Sequence, residues 1–141
     1  MKTLKTITLG LIMVAAFASA KAYTIAGNEL TVNHAVNTYV NALAHGQMSD
    51  MDAVIDQNAK FSMLRGTKVL SLTKDQVIEA VKDNENIDQQ CTVSTSISES
   101  NNDITIVKVD MKYSTFTRTN YVTLANTGNG WKITNVYSVF K

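Results

Sequence analysis

The chain has 141 residues, with 13 lysines and arginines against 12 aspartates and glutamates. This near-neutral charge, with acids and bases interspersed, gives no reason to expect binding to nucleic acid or to an anionic membrane surface. Cys91 is the only cysteine, which excludes an intrachain disulfide, so the fold must be held together by burial of apolar side chains.

The first segment has the pattern of a cleavable secretory signal peptide over 1–20. Lys2 and Lys5 precede an uncharged apolar run at Ile7–Phe17, which is followed by small residues ending at Ala20. A membrane anchor is the alternative, but a spanning helix needs about 20 apolar residues. We therefore predict cleavage after Ala20 and export to the periplasm or the medium. Loss of the two lysines takes the net charge from +1 to −1, and no membrane contact is expected after cleavage.

The mature chain is predicted to begin with an extended lead-in over 21–30 and then a helix. Val36, Tyr39 and Leu43 recur at helical spacing and define one face. Asn33 is the expected N-cap. Gly46 is expected to supply the left-handed residue that ends the helix.

A second, shorter helix is predicted from its capping pattern. Ser49 is the expected N-cap, and Asp52 lies in the first turn, where the helix dipole favours negative charge. Val54 and Ile55 are expected to face inward. The helix is predicted to end near Asn58.

A hairpin and a third helix follow. The apolar runs 60–64 and 69–72, separated by a glycine-containing turn, predict two antiparallel strands. Thr73 and Gln76 have the spacing of a capping box, which predicts a helix that lasts to about Lys82.

From residue 91 the hydrophobic period is two almost to the end, which predicts four more strands. They run over 91–97, 104–113, 116–125 and 131–140. Helices first and strands last predict an α+β fold of one domain over 21–141. In this fold a curved antiparallel sheet wraps over the N-terminal helices, in the order ααββαββββ, and forms a cone with an internal cavity.

This order, together with the closing Gly-Trp-Lys-Ile segment at Gly130–Ile133, resembles the nuclear-transport-factor-like superfamily, whose members have a cystatin-like cone. More narrowly, the chain resembles the exported bacterial members of the lumazine-binding family. The resemblance covers about 30–141. It implies a pocket between the first helix and the sheet, and a small-molecule ligand.

The superfamily also includes ketosteroid isomerases and polyketide cyclases, so the resemblance implies a lyase or isomerase as an alternative. Tyr39 falls on the isomerases' oxyanion-hole tyrosine, Met63 falls on their general base, and the second oxyanion donor falls near Asn120 or Tyr121. A thioether cannot accept the proton that a general base removes. We therefore expect a non-catalytic domain that binds a small apolar or aromatic ligand.

Five residues are candidates for contact with that ligand: Tyr39, Met63, Tyr113, Tyr121 and Trp131. Tyr39 can donate its hydroxyl, and the sulfur and ring faces of the others suit a flat heterocycle. Ordinary core packing is the alternative for each of them. If an acid is misplaced in the alignment, Asp56 and Asp110 are the only candidates for a catalytic base.

The remaining patterns predict no cofactor and no metal. His34 and His45 lie at opposite ends of one helix, about 16 Å apart, too far to share a metal ion. Lys108, Asp110 and Lys112 alternate on the face of their strand opposite to Tyr113. Members of the superfamily commonly pair through the outer face of the sheet, so a homodimer or another protein-interaction role is the third hypothesis.

Overall fold

The computed structural model describes residues 31–141, so the expected signal peptide and lead-in lie outside the described residues. The described elements are α1 (Val32–His45), α2 (Met51–Val54), β1 (Ile55–Arg65), β2 (Lys68–Thr73), α3 (Lys74–Lys82), β3 (Thr92–Ser100), β4 (Ile104–Lys112), β5 (Thr117–Asn126) and β6 (Trp131–Phe140). The predicted α+β class and element order are confirmed. No helix in this part of the chain is long and apolar enough to cross a membrane.

The N-cap of helix α1 lies two residues before the predicted one. Thr31 Oγ1 accepts a hydrogen bond from the backbone N–H of His34 at 3.1 Å, so the N-cap is Thr31, and Asn33 lies inside the first turn. Gly46 ends the helix as predicted, with φ of 63°. A Cβ at this position would lie 2.3 Å from the carbonyl oxygen of Asn84. The close approach of that loop therefore requires glycine here.

Helix α2 is much shorter than predicted, with only four residues. Its N-cap is Asp50, which has φ of 63° and makes no side-chain capping hydrogen bond, so the predicted cap at Ser49 is wrong. The backbone becomes extended at Ile55, which pairs with Ile133 of β6. Val54 and Ile55 are buried as predicted. Both are β-branched, which favours a strand once a partner strand is available.

The capping box of α3 is confirmed: the side chains of Thr73 and Gln76 each accept a hydrogen bond from the other residue's backbone N–H. The six strands form one sheet in the order β2-β1-β6-β5-β4-β3. All neighbours are antiparallel except β1 and β6, so the predicted all-antiparallel sheet is wrong for this pair. The reason is the α3 crossover. Because of this crossover, β3 runs in the same direction as β2, which is opposite to β1. Each of the three following hairpins reverses the chain, so β6 runs parallel to β1.

The face of the sheet that packs against the helices is termed the inner face, and the opposite side the outer face. Helix α1 contacts β4 and β6. The buried inner-face residues of the central strands are Val107, Val109, Met111, Val122, Leu124, Ile133 and Val136, and Val36, Tyr39 and Ala42 of α1 are buried with them. Strict alternation along β4 produces this arrangement.

Candidate functional site

Polar side chains interrupt the apolar inner face at one end of β5 and β6. Asn120 lies opposite Ser138, and Arg118 is two residues before it on the same face. Asn120 Oδ1 accepts hydrogen bonds from Arg118 Nε at 2.9 Å and from Ser138 Oγ at 2.6 Å. Asn120 Nδ2 lies 3.6 Å from the sulfur of Met111. We name these four residues the Asn120 cluster. Asn120 is 0% exposed, so a buried amide fixes the guanidinium.

Tyr39 of α1 is buried close to the Asn120 cluster. Its ring centroid lies 6.3 Å from that of Phe61 on β1, and the residue is 1% exposed. Burial raises the pKa of Tyr39, and the positive charge of Arg118 acts in the opposite direction. The hydroxyl therefore stays protonated at neutral pH and can donate a hydrogen bond.

Three aromatic rings, which we name the aromatic rim, border Arg118. The rings of Tyr113 and Phe116 are stacked with centroids 4.5 Å apart, and Phe116 lies 6.2 Å from Phe140. The Cζ atom of Arg118 lies 5.7 Å from the centroid of Phe140, within the range of a cation–π contact. Phe116 is 40% exposed and Phe140 is 38% exposed. The rim is thus the accessible edge of an otherwise buried region.

A surface depression of about 570 Å³ meets the aromatic rim at Tyr113. It is lined by residues 88–92 and 112–114, which include Cys91 and Lys112. Burial raises the pKa of Tyr113, the neighbouring Cys91 adds to this effect, and the charge of Arg118 opposes it. Arg118 therefore acts on both Tyr113 at the rim and Tyr39 in the core. The volume is in the range of small-molecule sites.

Another depression, of about 330 Å³, lies beside the C-terminal half of α1 and includes no member of the cluster or the rim. The space between Tyr39 and the Asn120 cluster is itself closely packed, because both Tyr39 and Asn120 are almost fully buried. A ligand can reach them only if side chains at the rim move.

The structure brings three of the five predicted contact residues to this region. Tyr39 and Tyr113 are described above. Met63 of β1 pairs with Ser138 of β6, which places it on the inner face next to the Asn120 cluster. Met63 and Asn120 thus flank Ser138 on the inner face.

The other two predicted contact residues lie elsewhere. Tyr121 is 40% exposed on the outer face, opposite Lys108 of β4 and Tyr137 of β6. Trp131 begins β6, about 30 Å along the strand from Phe140 at the usual rise per residue. Tyr121 therefore faces away from Tyr39, and Trp131 lies at the end of β6 remote from the aromatic rim.

Both candidate acids lie away from Tyr39. Asp110 is on the outer face, where it accepts a hydrogen bond from Thr119 Oγ1 at 2.5 Å and pairs with Lys108 at 3.2 Å. The hydrogen bond from Thr119 lowers the pKa of Asp110, burial opposes this effect, and the hydrogen bond and charge of Lys108 lower the pKa further. Asp56 accepts a hydrogen bond from its neighbour Asn58 at the start of β1. Neither carboxylate is placed to serve as a base beside Tyr39.

Within residues 31–141, no three potential ligands converge on a metal site. His45 instead contacts Asp88, with Nδ1 and Oδ1 2.5 Å apart.

Sequence reasoning missed Arg118, Ser138, Phe116 and Phe140 as parts of this site. One signal was available, because Arg118 and Asn120 alternate in phase with the buried Val122 and therefore lie on the same face of β5. A polar side chain on the buried face of a strand is unusual and therefore marks a candidate functional residue. The partner Ser138 could be found only from the pairing of β5 with β6.

A protein-family model and several solved structures match this chain. Residues 28–138 match the model of the family described as "Putative lumazine-binding". No curated protein matches the chain. The crystal structure of a nuclear-transport-factor-like protein of unknown function from Silicibacter pomeroyi is 17% identical, covers 76% of this chain and 90% of its own, and has a TM-score of 0.62.

Two further solved structures are similar. A nuclear-transport-factor-like protein of unknown function from Shewanella baltica is 11% identical, with coverage of 76% and 88% and a TM-score of 0.61. A cystatin-like fold protein from Burkholderia xenovorans is 16% identical, with coverage of 77% and 88% and a TM-score of 0.59. These likenesses confirm the predicted cone fold. Because the family model spans most of its length, the chain belongs to the family described as "Putative lumazine-binding".

Proposed function

We propose that this protein is exported and binds a small apolar or aromatic compound, without converting it, at the open end of the space between α1 and the inner face. The observation that carries the proposal is the Asn120 cluster beneath the exposed aromatic rim. The family description names lumazine, a flat heterocycle, which fits a site bordered by rings.

The composition of this end of the sheet supports binding. Exposed rings offer apolar area that would gain free energy if a ligand covered them. The buried polar atoms beneath them are already hydrogen-bonded, so the site can receive a ligand without first breaking its own core. An apolar surface with a few fixed polar groups is the usual composition of a small-molecule site.

The absence of turnover is supported by the groups near Tyr39. General-base catalysis needs a proton acceptor within hydrogen-bond reach of the substrate. Met63 occupies the position that the superfamily resemblance assigns to the base, and Asp110 lies on the other side of the sheet. Even a ligand that reached the Tyr39 hydroxyl would find no base beside it to complete an isomerisation.

Ligand binding is tested by native mass spectrometry and thermal-shift screening against pterins including lumazine, flavins and steroids. A hit should be weakened in Phe116→Ala and retained in Tyr121→Ala. The two residues are a matched pair, since each is an aromatic side chain that is 40% exposed, Phe116 in the connection before β5 and Tyr121 on the outer face of β5. An empty screen, or equal loss in both variants, would count against the proposed site.

Export is supported by the amino-terminal pattern and by the family match, which begins at residue 28, after the expected cleavage point. Intact-mass analysis of the protein recovered from the periplasm or the medium tests it. The mature chain should begin at Lys21. Full-length protein confined to the cytoplasm would refute export and leave the ligand proposal standing.

Pairing of two copies through the outer face is a second candidate role. Tyr121 lies exposed beside Tyr137, and Lys108 and Asp110 form an ion pair on the neighbouring strand. These amphipathic rings next to charges are common at protein interfaces. Size-exclusion chromatography with light scattering decides the question, because a monomer at high concentration excludes this dimer.

A further inference from the structure

We propose that the ligand is a planar aromatic compound with a single carboxylate, and that the two terminal nitrogens of Arg118 bind this carboxylate. The inference rests on the proposed function, since it names the chemical class that the same site would take. Three features support it: the hydrogen bond that holds the Arg118 side chain, the lack of a carboxylate partner for its charge within residues 31–141, and the aromatic rings beside it.

Arg118 is positioned by one edge of its guanidinium only. Its Nε donates to Asn120 Oδ1, and Asn120 is itself held by Ser138. The flat group also lies near the ring of Phe140. Within residues 31–141, no other hydrogen bond of the guanidinium is formed, which leaves its terminal nitrogens uncommitted.

The charge of Arg118 has no carboxylate partner in the described part of the chain. Among the described lysines only Lys74 and Lys108 have one. Arg118 differs from the unpaired lysines Lys60, Lys68 and Lys112 because they are exposed, whereas Arg118 is partly buried. A half-buried guanidinium gains more from an anion than an exposed one, because the local dielectric is lower. Its planar pair of donors matches the two oxygens of a carboxylate.

The surroundings favour an aromatic acid over an inorganic anion. The aromatic rim extends away from Arg118 through Phe140, Phe116 and Tyr113, in steps of 4.5 to 6.2 Å between neighbouring groups. Flat rings beside the carboxylate can therefore lie against rings of the protein. One cation in an apolar border balances one negative charge, whereas a phosphate would leave further charge unpaired.

The test compares naphthalene-2-carboxylate with its neutral isostere naphthalene-2-carboxamide by isothermal titration of the purified protein. The wild type should bind the carboxylate about tenfold more tightly or better, as expected for hydrogen bonds to charged groups. Arg118→Gln should bind both compounds equally. Arg118→Lys, which keeps the charge but not the planar pair of donors, should retain only part of the preference. Lys108→Gln is the control, because Lys108 is a cation on the outer face of the same sheet, and it should keep the full preference.

The outcomes separate the two proposals. Equal affinity of the wild type for both compounds overturns the inference and leaves the binding function standing, and this comparison needs no variant to fold. Loss of the preference in Lys108→Gln but not in Arg118→Gln also overturns it. If neither naphthalene compound binds and the ligand screen is empty, the proposed function itself fails.

Discussion

Replacing Asn120 by alanine should destabilise the protein by about 3 kcal/mol. Asn120 Oδ1 accepts the Ser138 hydroxyl, and Ser138 is 3% exposed, so its loss leaves a buried donor unpaired at a cost of about 1–3 kcal/mol. The lost bond to Arg118 adds less than about 1 kcal/mol, because the half-buried guanidinium can find water. The void left by the amide adds about 1 kcal/mol.

Ser138→Ala alone should cost only about 1 kcal/mol, because Asn120 still accepts from Arg118. In the double variant the Ser138 hydroxyl, which Asn120→Ala alone would leave unpaired, is absent. The double variant should therefore lose about 3 kcal/mol of stability, whereas additive effects would predict a loss of about 4 kcal/mol. The difference is a coupling free energy of about 1 kcal/mol. Urea unfolding at equilibrium, with an unchanged slope for all variants, measures this cycle. Ser96→Ala, on an exposed serine, is the control and should change stability by less than about 0.5 kcal/mol. Strict additivity of the two substitutions would refute the shared hydrogen bond.

Three further predictions concern the scaffold. Gly46→Ala should lower the free energy of unfolding by about 3 kcal/mol or more, because it combines a positive φ with a clash against the backbone at Asn84. Gly66→Ala is the control, because Gly66 has a similar φ and open space around it, and it should cost about 1 kcal/mol. Thermal unfolding measures both. Thr73→Ala should cost about 1 kcal/mol through loss of the capping box, and Thr73→Ser should recover most of it; equal losses would contradict the capping role. Asp110→Asn should lower the melting temperature at pH 7. Because the folded-state pKa of Asp110 is lowered, its contribution is present above the unfolded-state value of about 3.9 and is lost as the pH falls through the folded-state value, so the two melting curves should converge at acidic pH.

The local signals in the sequence predicted the elements well where a side chain or a glycine acts on its own neighbours. The capping box at Thr73 and the left-handed Gly46 are of this kind. Errors occurred where a distant partner decided the outcome. Ile55 leaves the helix because β6 is there to pair with it, and β6 lies parallel to β1 because of the intervening crossover. A period of two reports which face a residue occupies and carries no information about strand direction.

The same distinction holds at the candidate site. Tyr39 was identified because a helix stripe and a superfamily resemblance both pointed to it, and it lies beside the Asn120 cluster. Tyr121 was grouped with it, although its parity on β5 is opposite to that of Asn120 and Val122. Parity alone would have assigned Tyr121 to the outer face. Parity could not supply Ser138 or Phe140, because each joins the site only through the register of β5 against β6.

The Asn120 cluster is difficult to explain by stability alone. Buried charged or polar groups can often be replaced by apolar groups of similar shape with little loss, and sometimes with a gain, whereas deleting a single partner is costly. Its neighbours on the inner face are almost all apolar, and Val122 and Val136 fill the equivalent space one step along the same strands without a polar atom. A fold that needed only packing at Arg118 would be served as well by a leucine, which loses no hydration on burial. Arg118 is instead held by a buried amide, with its charge unpaired within residues 31–141 and its edge beside exposed rings. Sequences depart from the locally most stable choice mainly at functional sites. The arrangement of Arg118 therefore supports the proposed binding site at this end of the sheet over a purely structural role for the Asn120 cluster.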